Sequence, residues 1–217
     1  MDLTAFNPSS ALLTIVVLAL APFAAVMLTS FTKIVVVLSL LRNALGLQQV
    51  PPNVVLNGLA MVLTLYVMHP VGVQVSDRLA RAGAPASGPT AMWAAADGAK
   101  EPLREFLLRH SAARERAFFL RTAQQSLAPA QAAQLTERDF IIVLPAFTVG
   151  ELSGAFQIGF LVFLPFLVID LVVSNILLSM GMQMLTPGTV ALPFKLLLFV
   201  LADGWAKLAH GLVLSYT

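Results

Sequence analysis

Two apolar blocks flank a polar middle. The first block holds two long hydrophobic segments, about Leu12 to Leu41 and about Val54 to Val73, joined by RNALGLQQVPPN over Arg42–Asn53. Gly46 is placed to end a helix and Pro51-Pro52 cannot continue one, so this linker reads as a turn and the pair as an antiparallel hairpin. Pro22 is expected to kink the first segment, because it removes a backbone donor and clashes with the preceding turn. Thr29-Ser30-Phe31-Thr32-Lys33 interrupts the same segment again. The second block opens at Phe140–Val149, runs through Ala155–Leu178, turns around Pro187 and ends with Phe194–Leu214. Ala155–Leu178 is long enough to cross a hydrocarbon layer as a helix.

The middle reads differently. GAPASGPTAMWAAADG, Gly83 to Gly98, is small and rich in Pro and Gly, and is expected to be a mobile loop. From Glu101 to Leu127 the i, i+3, i+4 spacing predicts a helix, with Leu103, Phe106, Leu107, Phe118 and Phe119 packed and the arginines in water. The pattern as a whole predicts an all-α, membrane-associated chain of helical hairpins built on four long hydrophobic segments. It divides into an N-terminal hydrophobic hairpin (1–73), a polar, partly helical region (74–139) and a C-terminal hydrophobic hairpin (140–217).

Composition sharpens the class. The chain is 58% hydrophobic and 11% charged, where soluble domains carry about 25% charged residues. That is the composition of an integral membrane protein, or of one buried wholesale in a membrane-associated complex. Nine of the 13 bases and seven of the 11 acids lie in residues 74–139. The net charge of +2 is too small to argue for a nucleic-acid partner. With no cysteine there is no disulfide and no thiol nucleophile, and the isolated His69, His110 and His210 suggest no metal site. No Walker or dinucleotide-type glycine loop is present, so no cofactor is expected and any driving energy comes from elsewhere. The first base is Lys33, so the N-terminus lacks the basic region of a signal peptide and is expected as an uncleaved first membrane segment. Arg42 in the short linker favours the 42–53 turn inside and the polar region outside.

Candidate chemistry sits in the second block. Asp170 lies within an apolar run, where a carboxylate costs several kcal/mol unless it has a partner or a wet cavity. Lys195 lies across the Pro187 turn. An ion pair, within or between subunits, would let both stay charged; alternatively Lys195 snorkels at an interface. Asp203 and Glu151 are alternative partners, and Lys33 is a further candidate buried charge. Asp170→Ala is expected to impair assembly, and a swapped Asp170→Lys/Lys195→Asp variant to restore some of it. Met180, Met182 and Met184 alternate around Gly181 and Gln183, a spacing that makes no single helical face, so a loop or broken helix is expected there. Thioethers adapt to irregular surfaces, and the plain alternative is lipid or core packing. Gly150 and Gly154 form a GxxxG that allows close helix approach. Ser153-Gly154 lacks the surroundings of an intramembrane serine protease, and Asp170 with Asp203 lacks those of an aspartyl one. An enzyme is therefore not expected.

Two stretches carry a resemblance. TSFTKIVVVLSLLRNALGLQQVPPNVVLNGLAM (29–61) and the segments LPAFTVGELSGAFQIGF, FLPFLVIDLVVSNILLSMGMQML and ALPFKLLLFVLADGW (within 144–205) resemble the SctR/FliP family of type III secretion and flagellar export apparatus proteins, nearer the SctR branch. The resemblance implies a non-enzymatic export-gate subunit that assembles with copies of itself into a helical ring or cone, pentameric in the family. SctS-like and SctT-like subunits would complete the gate, with SctU-like and SctV-like components beside it. The gate would pass unfolded secreted proteins across the bacterial inner membrane, with hydrophobic segments against lipid or displaced towards the periplasm, where the polar region would lie. It also implies that Met182-Gln183-Met184 form the channel constriction, Gln183 departing from the unbroken methionine run of some relatives, and that Asp170 and Lys195 link neighbouring subunits. A different class, a secondary transporter using Asp170 and Lys195 as an ion or proton relay, is the alternative.

Overall fold

The computed structural model describes residues 8–82, 89–182 and 184–217. All regular structure among them is helical. In chain order the elements are α1 (Pro8–Met27), α2 (Phe31–Ala44), α3 (Asn53–Ala82), α4 (Pro89–His110), α5 (Ala113–Ser126), α6 (Pro129–Ala132), α7 (Phe140–Ser179), α8 (Pro187–Leu201) and α9 (Gly204–Leu214). They form two compact units, each assembled from two stretches of chain: residues 1–30 with 68–150, and 31–67 with 151–217.

The first hydrophobic segment breaks at the polar interruption that begins at Thr29. Helix α1 runs through Pro22 and stops at Met27. The Thr29 hydroxyl donates back to the Ala25 carbonyl, a local bond that competes with helix continuation. Helix α7, by contrast, continues through Pro145 and Pro165 for 40 residues.

In the first unit, two sequence expectations need correction. Residues 89–98 are helical, not loop; 83–88 lie outside the described residues. Pro89 at the helix start has its φ already set, the following stretch is alanine-rich, and Gly98 lets Leu79 approach to 3.4 Å of where a Cβ would stand. The helix expected over 101–127 is two helices, α4 and α5. At the break, Arg116 donates to the Leu108 carbonyl (3.2 Å) and to both oxygens of Ser111, satisfying carbonyls that the end of α4 leaves open. Phe106 and Leu107 are buried as expected, and the Phe106 ring meets that of Phe147 at a tilt, 5.8 Å between centres. Phe118 instead is 59% exposed. Arg104 and Arg116 are not simply in water: Glu101 pairs with Arg104 and, at 3.0 Å, with Arg138, and Arg104 covers the Phe140 ring.

The second unit has the larger apolar core. Ile34, Val37 and Leu38 of α2 pack with Leu56 and Ala60 of α3, Ala155 of α7 and Leu212 of α9. A neighbouring cluster joins Leu41, Ala44 and Leu45 to Phe166 and Phe199. The closest crossing is at Gly159: a Cβ there would stand 2.2 Å from Leu40 Cδ1. Between α8 and α9 the chain bends by 60°. Asp203 takes a left-handed conformation (φ 52°) at that bend, and Gly204 lies under the Phe199 ring.

Among the described residues, α3 (over Asn53–Arg81) and α7 are long and apolar enough to cross a membrane; α8 and α9 would add a third span if counted together. At 1.5 Å per residue α7 is about 60 Å long, twice the roughly 30 Å of a hydrocarbon core.

Candidate functional site

The second unit carries two turns with the same construction. At the end of α2, Gly46 (φ 75°) donates to Asn43 O (3.0 Å) and Leu47 to Arg42 O (3.3 Å). At the end of α7, Gly181 (φ 71°) donates to Leu178 O (3.1 Å) and Met182 to Leu177 O (2.9 Å). Both are Schellman terminations, which need a left-handed residue at the position each glycine fills. Arg42 is spent on its own turn, donating to Asn53 Oδ1 at 2.6 Å.

The second termination sets the methionines. Met182 is the first residue past the capping glycine, and Met184 follows in the turn that leads to Pro187. Met180, Met182 and Met184 are all exposed, Met184 almost completely (99%). Gln183 lies outside the described residues. On one side of the hairpin, a wholly apolar groove of about 620 Å³ runs between α7 and α8 and reaches Met180 and Met182.

Asp170 and Lys195 meet within one chain. Lys195 Nζ is 2.7 Å from Asp170 Oδ2 and donates to the Ala44 carbonyl at 3.1 Å. Lys195 is buried, whereas the Asp170 side chain is one-third exposed. Asp170 Oδ1 is buried without a hydrogen-bond partner in the chain. The pair lines a cleft of about 790 Å³ together with residues of the Gly46 turn and with Thr186 and Thr189.

The alternative partners go elsewhere. Glu151 pairs with Lys33 at 3.0 Å, both shielded from solvent, and accepts a bond from the Tyr216 hydroxyl. Asp203, expected to be a buried charge, is exposed: it is the residue at the α8–α9 bend, where Asp tolerates the left-handed conformation. The glycine pair also separates. A Cβ on Gly154 would lie 3.4 Å from Lys33 Cε, so that glycine makes room for the lysine stem, while Gly150 faces the Ala112 backbone. Sequence reading missed Gly159 and Tyr216. The spacing of Gly159 from Gly154 fits no four-residue motif, and a tyrosine near the chain end carries no pattern.

A family model, described as the FliP family, matches residues 13–212. The chain belongs to the FliP family. Its relatives include the hypersensitivity response secretion protein HrcR of Ralstonia nicotianae, 56% identical over 93% of this chain and 94% of that protein. The Yop proteins translocation protein R of Yersinia pestis is 54% identical over 92% of each chain. The flagellar biosynthetic protein FliP of Pectobacterium carotovorum is 47% identical over 90% of this chain and 73% of its own. The family match spans both helix-terminating glycines, both buried ion pairs and the methionine turn.

Proposed function

We propose that this chain is a core subunit of a type III secretion export gate, without enzymatic chemistry of its own. With further copies of itself and with SctS-like and SctT-like subunits it forms the channel that passes unfolded proteins across the bacterial inner membrane. Its near end-to-end likeness to proteins named for secretion supplies the pathway.

One structural observation carries the assembly. Large apolar side chains are exposed along α7 from Ile141 to Leu178, a run of about 56 Å at helical rise. Lipid tails cover only about 30 Å of that length. The remainder needs protein against it, which a ring of like subunits supplies. Asp170, its side chain one-third exposed beside the cleft, is open on that side to a neighbouring copy. The exposed Met182 and Met184 at the α7–α8 turn supply flexible side chains that can close around a passing chain.

A relay transporter fits less well. The two buried pairs sit 19 positions apart on α7, about 28 Å. Ile158, Val162, Phe163 and Phe166 pack in the interval, an apolar stretch that offers no step for a proton or ion.

The mass and composition of the detergent-extracted complex test the proposal. Several copies of this chain together with two other small membrane proteins are expected. A lone chain that moves a small solute would overturn it.

A further inference from the structure

Glu151 is the most fully enclosed acid of the second unit, and each of its oxygens has a donor. Lys33 Nζ reaches Oε1 at 3.0 Å, and the Tyr216 hydroxyl reaches Oε2. Lys33 also sits over the Tyr216 ring, 4.3 Å from its centre. Glu151 and Tyr216 are 3% and 7% exposed. The cluster joins three pieces of chain: the first turn of α2, the α7 helix, and the residues after α9.

What surrounds it is unselective. Ile34, Val37, Ala155 and Leu212 are aliphatic or small, and such surfaces pack acceptably in more than one helix register. The observed register is demanding all the same. Lys33 needs the space at Gly154, and two turns along α2, Leu40 needs the space at Gly159. Gly159 is the only glycine between Gly154 and Gly181, so a slip of one turn would drive Leu40 into a side chain. A buried polar network with one satisfying geometry adds to that crossing and fixes the placement of the two helices within the latitude that aliphatic contacts leave.

We propose that Tyr216 is a positioning residue. By donating to Glu151 and covering Lys33 it holds that ion pair in one geometry, and so sets the register of α2 against α7 on which the crossing at Leu40 and Gly159 depends. Its hydroxyl acts through Glu151; its ring alone is not sufficient, because removing the hydroxyl leaves a buried carboxylate oxygen without a donor.

The chain has no cysteine, so register can be read by cross-linking the full-length protein in membranes with its partners present. A Leu40→Cys/Gly159→Cys pair suits this: it removes the Leu40 Cδ1 that a Cβ at 159 would strike, and the two Cβ positions, 3.0 Å apart, reach the roughly 3.5–4.5 Å of a disulfide once the helices ease apart by about half an ångström. With Tyr216 intact, rapid and nearly complete cross-linking is expected. Tyr216→Phe should slow it by about tenfold, the equivalent of losing one hydrogen bond to a charged group. In a Glu151→Leu background, where the hydroxyl has no acceptor at position 151, Tyr216→Phe should cause almost no further change. Two results would overturn the proposal: wild-type cross-linking in Tyr216→Phe with loss only in Tyr216→Leu, which makes the ring mere packing, or additive effects of Tyr216→Phe and Glu151→Leu, which uncouple the two residues. Because Tyr216→Phe preserves the ring, it decides the matter even if Tyr216→Leu does not accumulate.

Discussion

Lys195 Nζ lies 2.7 Å from the Asp170 carboxylate and, with another of its protons, holds the carbonyl of Ala44 at the end of α2. The two contacts are not equivalent. The first neutralises charge across the α7–α8 hairpin. The second places a cation at a helix C-terminus, where open carbonyls and the helix dipole favour it. Lys195 thus ties the Gly46 turn to the helix that follows the methionine turn, and only a donor can make both contacts.

The asymmetry predicts unequal variants. Asp170→Ala strands a buried ammonium and should cost about 3 kcal/mol. Lys195→Met leaves Asp170 one-third exposed, which water can partly relieve, but removes the α2 cap, worth about 1 kcal/mol more. The Asp170→Lys/Lys195→Asp exchange should not restore assembly, contrary to the simple charge-pair expectation, since a carboxylate at position 195 would face the Ala44 carbonyl. Recovery of the intact complex after detergent extraction, with thermal melts of the singles, checks both points. Substantial recovery in the exchanged variant would show that the Ala44 contact is dispensable.

Met182→Ala/Met184→Ala should leave assembly intact and make the membrane permeable to small solutes. Both side chains are exposed at the turn and contribute little burial to the second unit, so their loss should cost less than about 0.5 kcal/mol of stability. Solute uptake or dye leakage in cells carrying the variant is the measurement. A tight membrane would mean that the methionines only pack.

Gly159→Val should be destabilising where Gly58→Ala is not. A Cβ at 159 meets Leu40 Cδ1 at 2.2 Å, whereas one at Gly58 meets nothing within 4 Å. Overpacking of this kind costs about 1–3 kcal/mol. Adding Leu40→Ala to a Gly159→Ala variant should return most of the loss, and thermal melts of the purified protein would show it. Equal tolerance at both glycines would contradict the crossing.

Asp203 is a turn residue, and its substitutions should follow backbone cost and not charge. Asp203→Asn should be near neutral, Asp203→Gly neutral or slightly stabilising, and Asp203→Val destabilising by about 1–2 kcal/mol, the steric cost of the left-handed conformation. Melting temperatures rank the three. A large loss in Asp203→Asn would instead reveal a charge requirement.

Much of the site was legible because helix signals are local. Gly46 and Gly181 mark helix ends by a backbone need that no other residue meets as cheaply, and Asp170 within an apolar run demands a partner wherever it lies. The partner choices were less legible. Lys33 and Glu151 were recognisable as charges in need of burial partners, but 118 positions separate them in the chain, and nothing local joins them. The loop expected over 83–98 is helical from 89 on, because small residues and glycines signal a loop by composition alone, whereas Gly98 serves as a contact surface for Leu79.

Hydrophobic periodicity and composition determined that the protein is helical and belongs in a membrane, and its residue order carried the family. Those properties follow from backbone hydrogen bonding and the transfer of apolar groups from water, which act over a turn or two of chain. Tertiary structure alone decided which lysine answers which carboxylate, that Lys195 also caps α2, that Asp203 turns outward, and that Tyr216 closes the Glu151 site. Each of these depends on a contact of a few ångströms between distant residues, and the Coulomb and hydrogen-bond terms that reward it exist only once helix packing has brought the groups together.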